Sequence, residues 1–200
     1  MTQFDQRNIT MVMDLYEMTM AYGYFNDKDK DTKVVFDVFY RRNPDKGGFA
    51  IFAGLEQIIE YIEHLHFDEE DIAYFRSLHL FNDAFLDYLK DFRFRGDVYA
   101  FAEGTIMYPN EPVVTVVAPL IDAQLVETAI LAEFNHQSLI ATKTRRIRKA
   151  AGKRVVSDLD RKSTRVGQEQ HILEVQMVQL PFLPERCLEF RLAAQWHIAG

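Results

Sequence analysis

Residues 14–25, DLYEMTMAYGYF, set the strictest condition on any fold this chain adopts. Asp14 followed by Glu17 fits a helix start of the capping-box kind, with an Asp oxygen accepting from exposed backbone N–H groups. On that helix Leu15, Met18, Tyr22 and Phe25 share one face, while Tyr16, Met20 and Tyr24 lie opposite. The first set is the expected core face. Leaving the second in water costs roughly 25 cal/mol for each Å² of apolar area, so the helix is expected to be covered on both sides, the outer one by a symmetric subunit contact.

The remaining segments read as a mixture of helices and strands. NDKDKD at 26–31 is a solvated turn, VVFDVFYR at 34–41 alternates like a strand, and NPDKGG at 43–48 breaks it. After Gly54 an amphipathic helix presents Leu55, Ile58, Ile59 and Ile62 on one stripe. Residues 68–78 and 82–92 predict two short helices beginning at acidic caps. The stretch 95–119 reads as strands broken at Glu103-Gly104 and at Pro109-Asn110-Glu111-Pro112, consistent with a small antiparallel unit. Residues 120–152 predict one long helix, whose basic last turns and terminal Gly152 suit the negative helix end. Val155-Val156 opens a further strand.

Composition bounds the class. Of 200 residues, 48% are hydrophobic and 26% charged, a globular balance sufficient for one or two domains with a substantial core. A net charge of −7 gives no electrostatic reason to expect a nucleic-acid or anionic-membrane partner. With one cysteine, Cys187, no internal disulfide forms. The N-terminus lacks a signal-peptide layout and the apolar runs are short, so a cytoplasmic location is expected and the Asn8-Ile9-Thr10 sequon is read as silent.

Candidate chemistry is sparse. His64 and His66 lack further ligands at metal-site spacing and read as surface histidines; no zinc motif is present. Gly47-Gly48 and Gly54 fit no phosphate-cradle motif and read as turn glycines. Arg41-Arg42 follows a strand directly, and paired guanidinium groups suit phosphate oxygens, although such pairs are more often simply solvated. The run from Lys143 to Arg154 is explained mostly as a dipole-compensating helix end. Cys187 has no neighbouring base or helix start to make it a nucleophile.

From about Ser157 the character changes. All nine tyrosines lie at or before Tyr108, the only Trp and Cys lie in the tail, and half of the glutamines fall beyond residue 157. Before that break, four stretches occur in a telling order: NITMVMDLYEMTMAYGYF, VVFDVFYRRNPDKGGFAIFAGLEQIIEYI, EGTIMYPNEPVVTVVAPLIDAQLVET and NHQSLIATKTRRIRKAAGKRVV. Across residues 8 to about 156 the chain resembles the N-terminal half of nicotinate phosphoribosyltransferase.

The resemblance implies an α+β fold: the N-terminal domain of a type II phosphoribosyltransferase with its connecting helix at 1–152, then a truncated or aberrant opening of an incomplete α/β barrel at 153–200. It implies transfer of ribose 5-phosphate from phosphoribosyl pyrophosphate to nicotinate for NAD salvage, with ATP hydrolysis and Mg²⁺, in a homodimer. Carried onto matching positions, Tyr16 stacks on the nicotinate ring across the subunit boundary with Asp14 as its companion, and Arg42, with Arg41, contacts phosphate. Relatives continue with an F-G-x-R-R type segment where this chain reads SDLDRKSTRVGQEQ, and then carry a histidine phosphorylated by ATP that has no counterpart here. The tail is therefore expected to be out-of-family sequence, such as a frameshift leaves, and the chain alone is expected to turn over little. Two alternatives stand beside this reading: a nicotinamide- or quinolinate-specific relative, and a non-catalytic subunit or interaction module that pairs through the Tyr16 face.

Overall fold

A computed structural model describes residues 9–27 and 31–154. The expectations for Val155-Val156, Cys187 and the tail from Ser157 lie outside the described residues, as does half of the 26–31 turn. Helix α1 spans Leu15–Phe25 with Asp14 as an extended N-cap. Strand β1 (Lys33–Val38) follows, then a short 3-10 turn at Pro44–Lys46 and strand β2 (Ala50–Ile51). Helices α2 (Leu55–His64), α3 (Glu69–Ser77) and α4 (Asp83–Lys90) lead to strands β3 (Asp97–Ala100), β4 (Ile106–Met107) and β5 (Val114–Pro119). The chain closes through α5 (Leu120–Leu125) and α6 (Glu127–Ala151).

The β strands pair antiparallel. β5 lies between β1 and β3, with Phe36 opposite Val116 and Val98 on its other side, and β2 pairs separately with β4. Alternation fixes which face is dry. Val38, Val114, Val116 and Ala118 are buried, whereas Val35 and Tyr99 stand on the outer face. At the mouth of β3, Gly96 passes so close to its neighbour that an added β carbon would lie 2.6 Å from Ala118 Cβ and 2.8 Å from the Val117 carbonyl oxygen. Gly96→Ala is therefore expected to lower stability by about 1–3 kcal/mol, read as a shift of the urea midpoint at unchanged slope.

Helices α3 and α4 begin as the sequence reading expected. Asp68 Oδ1 accepts from the Glu70 and Asp71 N–H groups, each at 2.9 Å, and Asn82 Oδ1 accepts from Phe85 N–H at 2.9 Å. Aromatic rings hold the two helices to α1: Phe85 packs on Tyr22 and Phe25, each at 5.3 Å between centroids, and on Phe81 at 5.6 Å. Asp122, fully buried on α5, accepts from the Arg95 backbone N–H at 2.8 Å and from its guanidinium at 3.1 Å, tying the approach to β3 onto the helix beneath the sheet.

Three sequence expectations are corrected. Residues 120–152 form two helices: the chain breaks at Val126, whose φ of −105° and ψ of −4° end α5 and open α6. On α2 the fourth stripe position goes to Tyr61, which is buried beside Ile58, while Ile59 is only half-buried. On α1 the burial face is rotated. Leu15, expected inside, is 52% exposed, and Tyr24, expected outside, is half-buried against the core. The cause is Glu17, which is fully buried together with Met18 and Ala21 and turns the helix about its axis.

Candidate functional site

The outer face of α1 carries Tyr16, 45% exposed, and Met20, 40% exposed, with Leu15 at its edge and Ile9 and Val12 exposed just before it. The pKa of Tyr16 is raised, first by partial desolvation and then by the nearby Glu127 and Glu17 carboxylates, so its hydroxyl lies near the first turn of α6. Asp14 joins the same corner, its Oδ2 accepting from Thr128 Oγ1 at 3.5 Å. The Tyr16 ring thus stands beside this corner with nearly half of its surface outward.

The group that organises this corner escaped the sequence reading. Glu17 Oε2 accepts from the Asp14 N–H at 3.0 Å, the reciprocal half of the capping box, while Oε1 accepts from the Thr128 N–H at 2.8 Å. Val126, at the N-cap position of α6, has no side-chain oxygen to offer, so the acceptor comes from another helix. The signal available in sequence was the Asp14-x-x-Glu17 spacing, which announces a local cap but not a second, distant donor.

Arg41 and Arg42 stand elsewhere. Both are exposed on the bend after β1 and line an open groove of about 560 Å³ together with Phe39, Tyr40, Asn43, Pro44, Lys46, Asn135 and Leu139. Tyr40 forms its floor: the ring packs on Phe134 at 4.9 Å, the hydroxyl donates to the Asn135 carbonyl at 3.2 Å, and burial pushes its pKa up to about 12. Arg146 braces the far lip by donating to the Pro44 carbonyl at 3.3 Å. Lys46, a third cation in this groove, was not singled out from sequence.

The structure therefore brings Asp14 and Tyr16 together, and Arg41 and Arg42 together, but at two places. Both places sit on α6: one at Glu127–Thr128, the other at Asn135 and Leu139, seven to eleven residues along the helix, or roughly 10–17 Å of rise.

Other candidates are accounted for structurally. The N-terminus of α2 is filled by Glu103, whose carboxylate oxygens accept from the Gly54 and Leu55 N–H groups at 2.9 and 3.0 Å, so no free phosphate cradle opens there. In the basic run, Arg148 donates to the Gly152 and Arg154 carbonyls and so caps its own helix end. The exposed His64 ring and the half-buried His66 ring each face a backbone carbonyl, Glu60 O at 2.8 Å and His64 O at 2.6 Å. Among the described residues no group of three or more His, Cys, Asp or Glu side chains converges to hold a metal ion, and no helix is long and apolar enough to cross a membrane.

Burial raises the pKa of both Glu17 and Glu103, with the backbone donors opposing. The folded state consequently holds protons on these groups above the ordinary value of 4.5, where the unfolded chain has released them. Their contribution is fully present below that value and is lost as pH rises through the raised values. Urea titrations at stepped pH are expected to show this loss, and Glu103→Gln, which cannot ionise, is expected to flatten the slope.

The model of the nicotinate phosphoribosyltransferase (NAPRTase) N-terminal domain matches residues 11–135, which include α1, the sheet, most of the groove lining and the first turns of α6. The chain belongs to this family. Nicotinate phosphoribosyltransferase pncB2 of Mycobacterium tuberculosis is 45% identical over 145 residues, covering 72% of this chain and 31% of the relative. Nicotinate phosphoribosyltransferase of Bacillus subtilis is 40% identical over 152 residues, covering 76% and 31%. The chain thus spans about a third of the length of the curated relatives it matches. The crystal structure of human nicotinic acid phosphoribosyltransferase superposes with a TM-score of 0.76 at 29% identity, over 83% of this chain and 34% of that one. A nicotinate-nucleotide pyrophosphorylase from Pyrococcus furiosus shares the fold, with a TM-score of 0.53 at 24% identity over 76% of this chain and 32% of its own. The NAPRTase assignment agrees with the mixed helix and sheet architecture expected from sequence.

Proposed function

We propose that this chain supplies the N-terminal half of a nicotinate phosphoribosyltransferase site, in which Tyr16 stacks on nicotinate held by a second copy, with Asp14 beside it, and Arg41 and Arg42 meet phosphate oxygens. The observation that carries this reading is the Tyr16 ring itself: nearly half exposed, and set in a stripe with Met20 that the described residues leave uncovered. A flat, anionic pyridine needs such a rigid aromatic surface for alignment.

The groove suits a phosphorylated ligand. Arg41, Arg42 and Lys46 add three cations to a wall in a chain whose net charge is −7, and guanidinium forks match phosphate oxygens in pairs. These residues fit the polyphosphate of phosphoribosyl pyrophosphate or ATP. They do not fit Mg²⁺, which takes oxygen ligands. In the transferase reaction pyrophosphate leaves as positive charge grows on the ribose, so cations at the leaving group and a stacked acceptor ring would act on opposite sides of one carbon.

Joining residues 1–152 of this chain to the remaining two-thirds of the Bacillus subtilis relative tests the reading. The chimera is expected to form nicotinate mononucleotide from nicotinate and phosphoribosyl pyrophosphate with ATP and Mg²⁺, and to prefer nicotinate over nicotinamide and quinolinate. A folded chimera without that activity would contradict the proposal. The present chain alone is expected to give little product.

A further inference from the structure

We propose that Glu17 is the positioning residue of this site: its single carboxylate bridges the first turns of α1 and α6 and thereby fixes where the Tyr16 ring stands. The functional weight of the inference rests on the ring-stacking reading above; the bridge itself does not.

Three observations support it. Both oxygens of a fully buried carboxylate are committed to backbone donors from different helices, Asp14 N–H at 3.0 Å and Thr128 N–H at 2.8 Å. A carboxylate placed out of water needs a strong reason to be there, and an apolar side chain would fill the space more cheaply were it not for two N–H groups that have to be met. Next, Val126 leaves α6 without a side-chain cap of its own, so the helix depends on this borrowed acceptor. Finally, Tyr16 is the residue immediately before Glu17, and Asp14 on its other side, two residues earlier, accepts from Thr128 Oγ1 of α6 at 3.5 Å. The first turn of α1 and the first turn of α6 therefore move as one piece.

A geometric consequence follows. Because α6 is a continuous rod from Glu127 to Ala151 and carries Asn135 and Leu139 on the groove wall, fixing α1 to its first turn also fixes the separation between the ring and the arginine groove. Glu17 thus sets the spacing between a ring site and an anion site without touching either ligand.

Amide hydrogen exchange and aromatic NMR on the full chain test this. In the parent protein the Asp14 and Thr128 amides are expected to be protected and the Tyr16 ring signals dispersed. Glu17→Ala is expected to speed exchange at both amides at least about tenfold and to move the Tyr16 ring signals toward random-coil positions, while Tyr99 and the Leu89 amide stay unchanged. Glu17→Gln retains one acceptor oxygen and is expected to leave one of the two amides protected, which keeps the comparison available should the alanine variant fail to fold. Unchanged exchange at Asp14 and Thr128 would overturn the bridge. Faster exchange with an unmoved Tyr16 ring would show Glu17 to be structural support only, and would equally overturn the positioning role. Nicotinate-induced shifts are read separately: a bridge that behaves as described beside a Tyr16 ring indifferent to nicotinate would refute the stacking assignment and not the bridge.

Discussion

Truncating Phe85 to alanine is expected to destabilise the chain by about 3–5 kcal/mol, the largest stability loss of any single substitution considered. The ring is fully buried and is the point through which α1 and α4 share a core, packing on Tyr22 and Phe25 of one helix and on Tyr88 of the other. Four aromatic neighbours cannot collapse into the space together, because each is also held by another ring: Phe81 by Phe75 at 5.8 Å, for example. The cavity term therefore adds to the lost transfer energy. In a domain of this size the melting temperature is expected to drop by roughly 10 °C. Leu80→Ala, at a side chain 49% exposed, is the control and is expected to shift it little. A Phe85 variant melting with the parent would mean that the aromatic cluster does not anchor α1.

The second large effect is functional. In the chimera with the Bacillus subtilis barrel half, Tyr16→Ala is expected to lower kcat/KM for nicotinate by roughly 10- to 100-fold, the worth of about 1–3 kcal/mol of stacking and burial against a flat ring. Stability is expected to change by less than about 0.5 kcal/mol, since the ring is nearly half exposed and its removal opens no cavity. Tyr16→Phe keeps the ring and deletes only the hydroxyl, so it is expected to retain most of the activity. Equal losses in the two variants would place the function in the hydroxyl and not in the ring.

Much of the architecture was legible because it depends on local rules. The alternation in 34–41, the Gly54 start of α2, the acidic cap at Asp68 and the amide cap at Asn82 each act within a few residues, and each appears in the structure. What escaped was nonlocal. The break at Val126 cannot be read from the 120–152 pattern, because both halves are helical in period and the cap that lets the second half restart belongs to Glu17, more than a hundred residues away. The rotation of α1 has the same origin: spacing assigns Glu17 to water, and only the Thr128 donor draws it inside. The Arg95–Asp122 pair and the Glu103 cap on α2 are likewise bonds between distant segments. For the site, the exposed ring of Tyr16 and the adjacency of Arg41 and Arg42 were readable, whereas their arrangement along one helix was not.

The central claim is that Tyr16 serves a site on a neighbouring subunit, and mixing two disabled chimeras tests it most directly. One carries Tyr16→Ala with an intact barrel half; the other keeps Tyr16 but lacks the barrel histidine that the resemblance implies is phosphorylated by ATP. If the ring acts across the subunit boundary, random exchange of subunits restores one complete site per mixed dimer, and activity should recover to about a quarter of the parent chimera. Activity that stays at the sum of the two separate variants, with mixed dimers demonstrably present, would contradict the account.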